Sequence, residues 1–390
     1  MFLLFIKSTQ YCLTFRDRSM KKTISIDMKT LSIRKAGIGR YSISLTRNLL
    51  RRSQFKYYGI AGPETDLAVY QSLSMYQRRY FPIGSSLARA TTLPFALPQH
   101  ISLHHTLDNS CIIPLRKKIK QITTIHDVLV FLYPQYFSKK HRLVVKSLTR
   151  SAVKWADHII TISQATKQGL IKIFPKLHPD KITVIPLATE LIHSNSFNDH
   201  QFPLRNRELP KHYLLSLGTF EPRKNLRGLI QAYVDLKNRK KLKDVGLVLV
   251  GGRGWLDSGI SSDEDYLKKY EIYPLGFIED HWLQSLYSNA LGFVYPSIHE
   301  GFGLPPLEAM ACGTPVIVSN TSSLPEVGGD AALYVDPYSI ESIQSAIESL
   351  VGDPSLRRKM SKKSLTQSRK FSWEKTAILT EKVYNMVLGW

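Results

Sequence analysis

Short, mostly apolar runs recur along the chain, and most lead through a loop into a helical pattern. In the first half they are Thr23 to Asp27, Tyr57 to Ala61, Ile101 to His105, Lys120 to Ile125, Asp157 to Ser163 and Lys181 to Pro186. In the second they are Tyr213 to Leu217, Val245 to Val250, Ile272 to Phe277, Gly292 to Tyr295, Val316 to Val318 and Ala332 to Val335. Strands that alternate with helices pair in parallel and are buried on both faces. The alternation occurs in both halves, which predicts an α/β protein with two Rossmann-like, doubly wound parallel sheets. A chain of 390 residues with 43% hydrophobic content can fill two cores.

The polar stretch Glu190 to Pro210 reads as the connection between them. The expected domains are therefore 20–205 and 206–371, with a closing helix in 372–390 that packs back towards the first. Residues 1–19 precede Met20 and the first strand. Their apolar start is too short to span a bilayer, and they read as an extension from a misplaced start or a disordered tail. Thr65 to Thr92 reads as irregular, with Arg78, Arg79 and Arg89 among its aromatics.

In open α/β sheets ligands bind beyond the carboxyl ends of the strands, so the loops there carry the candidates. The richest runs from Tyr295 to Asn320, Y-P-S-I-H-E-G-F-G-L-P-P-L-E-A-M-A-C-G-T-P-V-I-V-S-N. Gly301 and Gly303 allow a sharp turn, Pro305 and Pro306 suit a first helical turn, and Gly313 suits the position past its end. A loop feeding a helix N-terminus is a ready anion site. It brings Glu300 and Glu308, either as hydrogen-bond acceptors or as a cap and a solvent-facing acid. Gly218 is followed by Glu221-Pro222-Arg223-Lys224-Asn225, where Arg offers a bidentate fork and Lys a point charge. His126 ends a strand. Gly37-Ile38-Gly39-Arg40-Tyr41 reads as a glycine turn opening a helix; it lacks the third glycine of the dinucleotide fingerprint, which counts against a dehydrogenase.

The formal charge of +22 suggests an anionic partner: nucleic acid, lipid or a phosphorylated substrate. Nothing resembling an RNA-recognition, helix-turn-helix or zinc motif supports nucleic acid. Part of the charge lies in 139–154, where Lys139, Lys140, His141, Arg142, Lys146, Arg150 and Lys154 alternate with apolar residues. This is either an ordinary solvated helix face or a surface for anionic membrane. The three cysteines, Cys12, Cys111 and Cys312, show no disulfide or metal spacing, which fits a reducing, cytoplasmic setting. Asp263-Glu264-Asp265 reads as a solvated turn rather than a metal site.

With these residues in place, the chain resembles the family 4 glycosyltransferases, retaining sugar-nucleotide-dependent enzymes of the GT-B fold. The resemblance runs from about residue 20 to the C-terminus. It rests on the glutamates of E-G-F-G-L-P-P-L-E, on G-T-F-E-P-R-K-N-L, on Gly37 to Tyr41, on His126-Asp127 and on I-T-I-S-Q-A-T from Ile160 to Thr166. The R-Y and E-P-R-K-N forms look like a bacterial subset of surface-polysaccharide mannosyl- and rhamnosyl-type transferases. The resemblance implies two domains facing a cleft. Arg223 and Lys224 would bind the donor diphosphate, aided by backbone N–H groups at Gly39 and at Phe302, Gly303 and Leu304. Glu308 would take the ribose hydroxyls. Glu300 would hold the transferred sugar, and His126 would contact it from the facing domain. Gly276, Phe277 and Ile278 would line the base. It further implies a nucleotide-diphosphate sugar as donor, GDP-mannose favoured, with no cofactor or metal required. The acceptor would be a glycan or lipid-linked oligosaccharide, placing the protein in the cytoplasm or on the inner membrane face; the alternative is a soluble transferase acting on a small sugar or sugar phosphate.

Overall fold

The computed structural model describes residues 21–31, 37–83, 86–110, 119–191, 209–252 and 263–390. The N-terminal extension, most of the connecting stretch, Cys12 and Cys111 lie outside the described residues. The first sheet holds β1 (Thr23–Asp27), β2 (Lys56–Ala61), β3 (Gln77–Tyr80), β4 (Ile101–Thr106), β5 (Lys120–Ile125), β6 (His158–Thr161) and β7 (Ile182–Val184). Its order is β3-β2-β1-β4-β5-β6-β7, with parallel pairing throughout. The second holds β8 (Tyr213–Leu217), β9 (Gly246–Val250), β10 (Ile272–Gly276), β11 (Gly292–Tyr295), β12 (Val316–Ser319) and β13 (Ala332–Val335). Its order is β10-β9-β8-β11-β12-β13, again parallel. Each chain segment thus winds outward from a central strand and then returns to its other side. The crevices where the winding reverses lie between β1 and β4 and between β8 and β11.

The cores follow from the strand sequences. β1, β9, β11 and β12 are buried along their whole length, because helices cover both sheet faces. Side chains such as Ile24, Ile26, Leu247, Leu249, Phe293 and Ile317 lose all contact with water, each worth roughly 1.5–3 kcal/mol of transfer free energy. Among the described residues no helix is long and apolar enough to cross a membrane.

Three local expectations are corrected. Gly37 to Tyr41 is not a turn: the helix Gly37–Arg52 already begins at Gly37. Its Leu45 and Leu49 are buried in the first core, and packing outweighs the weak helix propensity of two glycines. The stretch 65–92 is not irregular. It forms the helix Leu67–Ser72, the edge strand β3 and a helix Ser86–Ala96. The exposed edge strand carries no buried face, so it shows no apolar run. Arg89 from this stretch is buried in an ion pair with Asp27 at the end of β1, Nη2 to Oδ1 2.6 Å. Asp263-Glu264-Asp265 is a helix start rather than a turn: Asp263 caps the helix Glu264–Lys269, and the next two acids sit in its first turn.

The helix Trp373–Leu388 follows the second domain in sequence but lies on the first. It packs along the Gly37–Arg52 helix. Arg52 Nε bonds Glu381 at 2.5 Å, Thr376 Oγ1 donates to the Pro186 carbonyl at 2.8 Å, and Tyr384 meets His105 Nδ1 at 2.7 Å.

Candidate active site

The two loops at the β8/β11 crevice meet around one carboxylate. β8 ends at Leu217, and Gly218 follows with a φ of +152° that suits a residue without Cβ. A single 3₁₀ turn, Pro222–Lys224, then presents two cations before the helix Leu226–Asn238. β11 ends at Tyr295, and the following loop brings Ser297 and Glu300. Glu300 Oε1 accepts from Lys224 Nζ at 2.6 Å, Ser297 Oγ at 2.6 Å and the Tyr295 hydroxyl at 3.0 Å; Oε2 accepts from Arg223 Nη1 at 2.9 Å. Lys224 also donates to the Tyr295 hydroxyl. Arg223 Nε reaches Glu221 at 2.8 Å. Ser297 is missing from the sequence-derived candidates, as is Tyr295, although both lie within the Y-P-S-I-H-E motif.

This cluster is buried, and its charges set one another. Burial alone would raise the Glu300 carboxyl, but Arg223 and Lys224 outweigh it and hold Glu300 well below the usual carboxylate range. Burial and the neighbouring Arg223 lower Lys224 to about 8, partly offset by Glu300. The site therefore holds two anions, Glu300 and Glu221, against one permanent cation and one titratable one.

Glu308 lies on the helix Leu304–Ala311, whose N-cap Gly303 takes φ +112°. Its side chain is buried, Oε2 accepting from the Tyr287 hydroxyl at 3.0 Å. Oε1 accepts from Arg40, which reaches across from the first domain and also bonds Asp280 Oδ1 at 2.5 Å. Burial raises the Glu308 carboxyl, and Arg40 and Tyr287 work against it. Neither Arg40 nor Asp280 stood among the site candidates; the arginine of the glycine motif was the available signal. Gly276, with φ +71°, ends β10; Phe277 beside it is 77% exposed, and Ile278 is partly buried. Asp280 is the first residue of the next helix, so this loop is tied to Glu308 through Arg40. Gly39 sits in the first turn of the Gly37–Arg52 helix, where backbone N–H groups lack intrahelical partners. A Cβ on Gly37 would meet Leu304 at 3.6 Å, so the starts of these two helices face each other across the cleft.

His126 follows β5 and forms the opposite wall. Its Nε2 donates to the Leu107 carbonyl at 2.8 Å, which leaves Nδ1 as the acceptor, and burial lowers its basicity, keeping it neutral. Tyr41 stands edge-on to the ring at 5.0 Å. Gly301 presses against the His126 backbone so closely that a Cβ would lie 2.2 Å from its carbonyl oxygen. Ser163 Oγ donates to the Gly301 carbonyl at 2.7 Å. The Gln164 and Ala165 N–H groups, at the start of a first-domain helix, donate to Glu326 of the second at 2.7 and 2.8 Å. The structure thus brings His126 to Gly301, next in the chain to Glu300, and joins Arg40 to Glu308. Among the described residues no group of three His, Cys, Asp or Glu side chains forms a metal-binding cluster.

Two doubly wound sheets whose reversal points face each other across a charged cleft define a GT-B α/β enzyme. Residues 36–191 match the model of Glycosyltransferase Family 4 and residues 198–367 that of Glycosyl transferases group 1. O-antigen chain mannosyltransferase B of Escherichia coli is 38% identical over 69% of this chain and 71% of its own length. O-antigen chain mannosyltransferase RfbU of Salmonella typhimurium is 36% identical over 63% of each. Sucrose-phosphate synthase from Thermosynechococcus elongatus shares the fold, with a TM-score of 0.69 at 20% identity, over 95% of this chain and all of that one. The chain belongs to the family 4 glycosyltransferases.

Proposed function

We propose that this chain is a retaining glycosyltransferase of surface-polysaccharide biosynthesis. It moves a hexose, mannose favoured, from a GDP-sugar to a glycan or lipid-linked acceptor. The observation that carries this reading is the Arg223–Lys224–Glu300 cluster at the β8/β11 crevice, facing His126 of the other domain. The mannosyl preference draws on the two O-antigen chain mannosyltransferases.

In this reading Arg223 and Lys224 hold the diphosphate and neutralise the charge that grows on it as the C1–O bond to phosphate breaks. The facing helix starts at Gly39 and at Phe302 to Leu304 add N–H donors. Glu300 holds the sugar hydroxyls and stabilises positive character at C1. The acceptor hydroxyl attacks C1 from the same face, and the departing phosphate oxygen takes its proton. Neutral His126 offers Nδ1 to a sugar hydroxyl. Glu308 accepts from the ribose, and the base lies along Gly276 to Ile278. The countercharge comes from side chains, so no metal or other cofactor is assigned to the step.

The acceptor enters from the first domain. There the helix Lys139–Trp155 opens with Lys139, Lys140 and His141 and has no acid in its first turn, opposite to what the helix dipole favours. Leu143 is 72% exposed beside them. Such a face suits the anionic inner surface of a cytoplasmic membrane and a lipid diphosphate anchored there. The deciding experiment is a panel of GDP-, UDP- and dTDP-sugars scored by thermal shift and donor hydrolysis. GDP-mannose should give the largest shift; stabilisation by a UDP-hexose alone would refute the donor assignment.

A further inference from the structure

Arg40 stands where a ligand of Glu308 would stand. It is the fourth residue of its helix, and its side chain is only 27% exposed. Its Nη1 takes Glu308 Oε1 while Tyr287 takes Oε2, so both oxygens of this carboxylate already have a donor. Its Nη2 reaches Asp280, whose side chain is 46% exposed at the mouth of the site. A cavity of about 160 Å³ opens beside the three groups, bounded by Leu283 and Leu304 on one side and by Ile43, Ala188 and Trp373 on the other. It exceeds the ~150 Å³ that holds a benzene-sized ring, so a pentose fits. The acid that the proposed function gives to the ribose is therefore already bound by a cation.

We propose that Arg40 is a nucleotide-displaced latch: in the empty cleft its guanidinium bridges Glu308 and Asp280, and it yields Glu308 to the nucleotide's vicinal hydroxyls while staying on Asp280. This rests on the reading of Glu308 as the ribose acceptor. The latch makes the nucleotide pay for an ionic hydrogen bond before it gains its own, and so sets donor affinity. Loss of Arg40 does not itself open the cleft, because the Ser163–Gly301 bond and the two N–H groups on Glu326 still hold the domains together. Asp280 acts in the opposite sense: it already holds one arm of the arginine and is the carboxylate left to the guanidinium once Glu308 is given up.

The test is titration calorimetry with GDP and UDP, each in the ribo and the 2′,3′-dideoxy form. It compares the full-length protein with its Arg40→Met and Asp280→Asn variants. Arg40→Met is expected to bind the preferred ribonucleotide about tenfold more tightly, with the dideoxy form unchanged. Asp280→Asn is expected to bind the ribonucleotide about threefold more weakly, again with the dideoxy form unchanged. Asp280 is half exposed, so this variant remains informative even if Arg40→Met does not fold. Opposite signs in the two variants are what a merely structural role would not give. Equal affinity of the unmodified protein for ribo and dideoxy forms, or no binding of either nucleotide, would overturn the ribose reading and the latch with it. A clear ribose preference with unchanged or weaker binding in Arg40→Met would overturn the latch alone.

Discussion

Gly301→Ala is the most direct test of how the two domains cooperate. The new methyl carbon would lie 2.2 Å from the His126 carbonyl oxygen and 3.1 Å from Asp127 Cβ, both in the other domain. A carbon–oxygen contact normally settles near ~3.3 Å, so the two walls must part there by about 1 Å. Glu300 is the preceding residue and moves with the wall. A misplacement of about 1 Å in a catalytic array costs on the order of 100-fold in rate, or about 2.7 kcal/mol of barrier. The Ser163–Gly301 hydrogen bond is lost as well, worth about 1 kcal/mol, which for a domain of this size is ~3 °C in Tm. The clash falls between the domains rather than in either core, so the variant should fold and still bind GDP through Arg223 and Lys224. The assay is the initial rate of sugar transfer from GDP-mannose, read beside calorimetric GDP binding and thermal unfolding. The expected result is a fall in kcat with near-normal GDP affinity and a small Tm change. A folded Gly301→Ala variant within about threefold of the original kcat would refute the claim that this contact sets the reacting geometry.

Four further outcomes are expected. Lys224→Ala should fold and lose transfer, with GDP binding weakened at least tenfold by calorimetry; full activity would remove the diphosphate assignment. Because Lys224 sits at about 8 and the diphosphate prefers its protonated form, binding takes up a proton above that pH, and GDP affinity should fall towards tenfold per pH unit between about pH 8 and 9.5, a slope that Lys224→Met would flatten. Treatment with EDTA should leave the transfer rate within about twofold, since fixed cations supply the countercharge; a strict divalent requirement in the chemical step would contradict this. Anionic liposomes should sediment the protein at low salt and release it at ~0.5 M salt, where screening is strong, and substitution of Lys139, Lys140 and Arg142 by Gln should weaken that retention.

Much of the architecture could be read from the sequence because buried parallel strands carry their signature locally. β9 and the 316–318 part of β12 are uninterrupted apolar runs, and composition and length alone mark them as strands. The Glu300–Glu308 stretch was legible for a similar reason: Gly303 at the helix N-cap and Gly313 past its end are local backbone requirements. Where a segment's conformation depends on distant partners, local reading fails. β3 is an exposed edge strand with no apolar face, and the helix beginning at Gly37 opens on two poor helix formers that packing overrides.

The sequence by itself therefore determined the two-sheet class, the strand-end segments that carry Arg223, Lys224 and Glu300, the helix that carries Glu308, and the placing of His126 at a strand end. Each of these is encoded within a few residues. Only the tertiary structure decided how those groups are paired. Glu300 is held by both cations and by the hydroxyls of Tyr295 and Ser297, Arg40 reaches 268 positions along the chain to Glu308, and Gly301 seats against His126. Most of these pairings join residues far apart in sequence, and they form because attraction and hydrogen bonds in a low-dielectric cleft offset the cost of desolvating the charges. For the Arg40–Glu308 pair that balance exists only once both domains have folded and closed on each other.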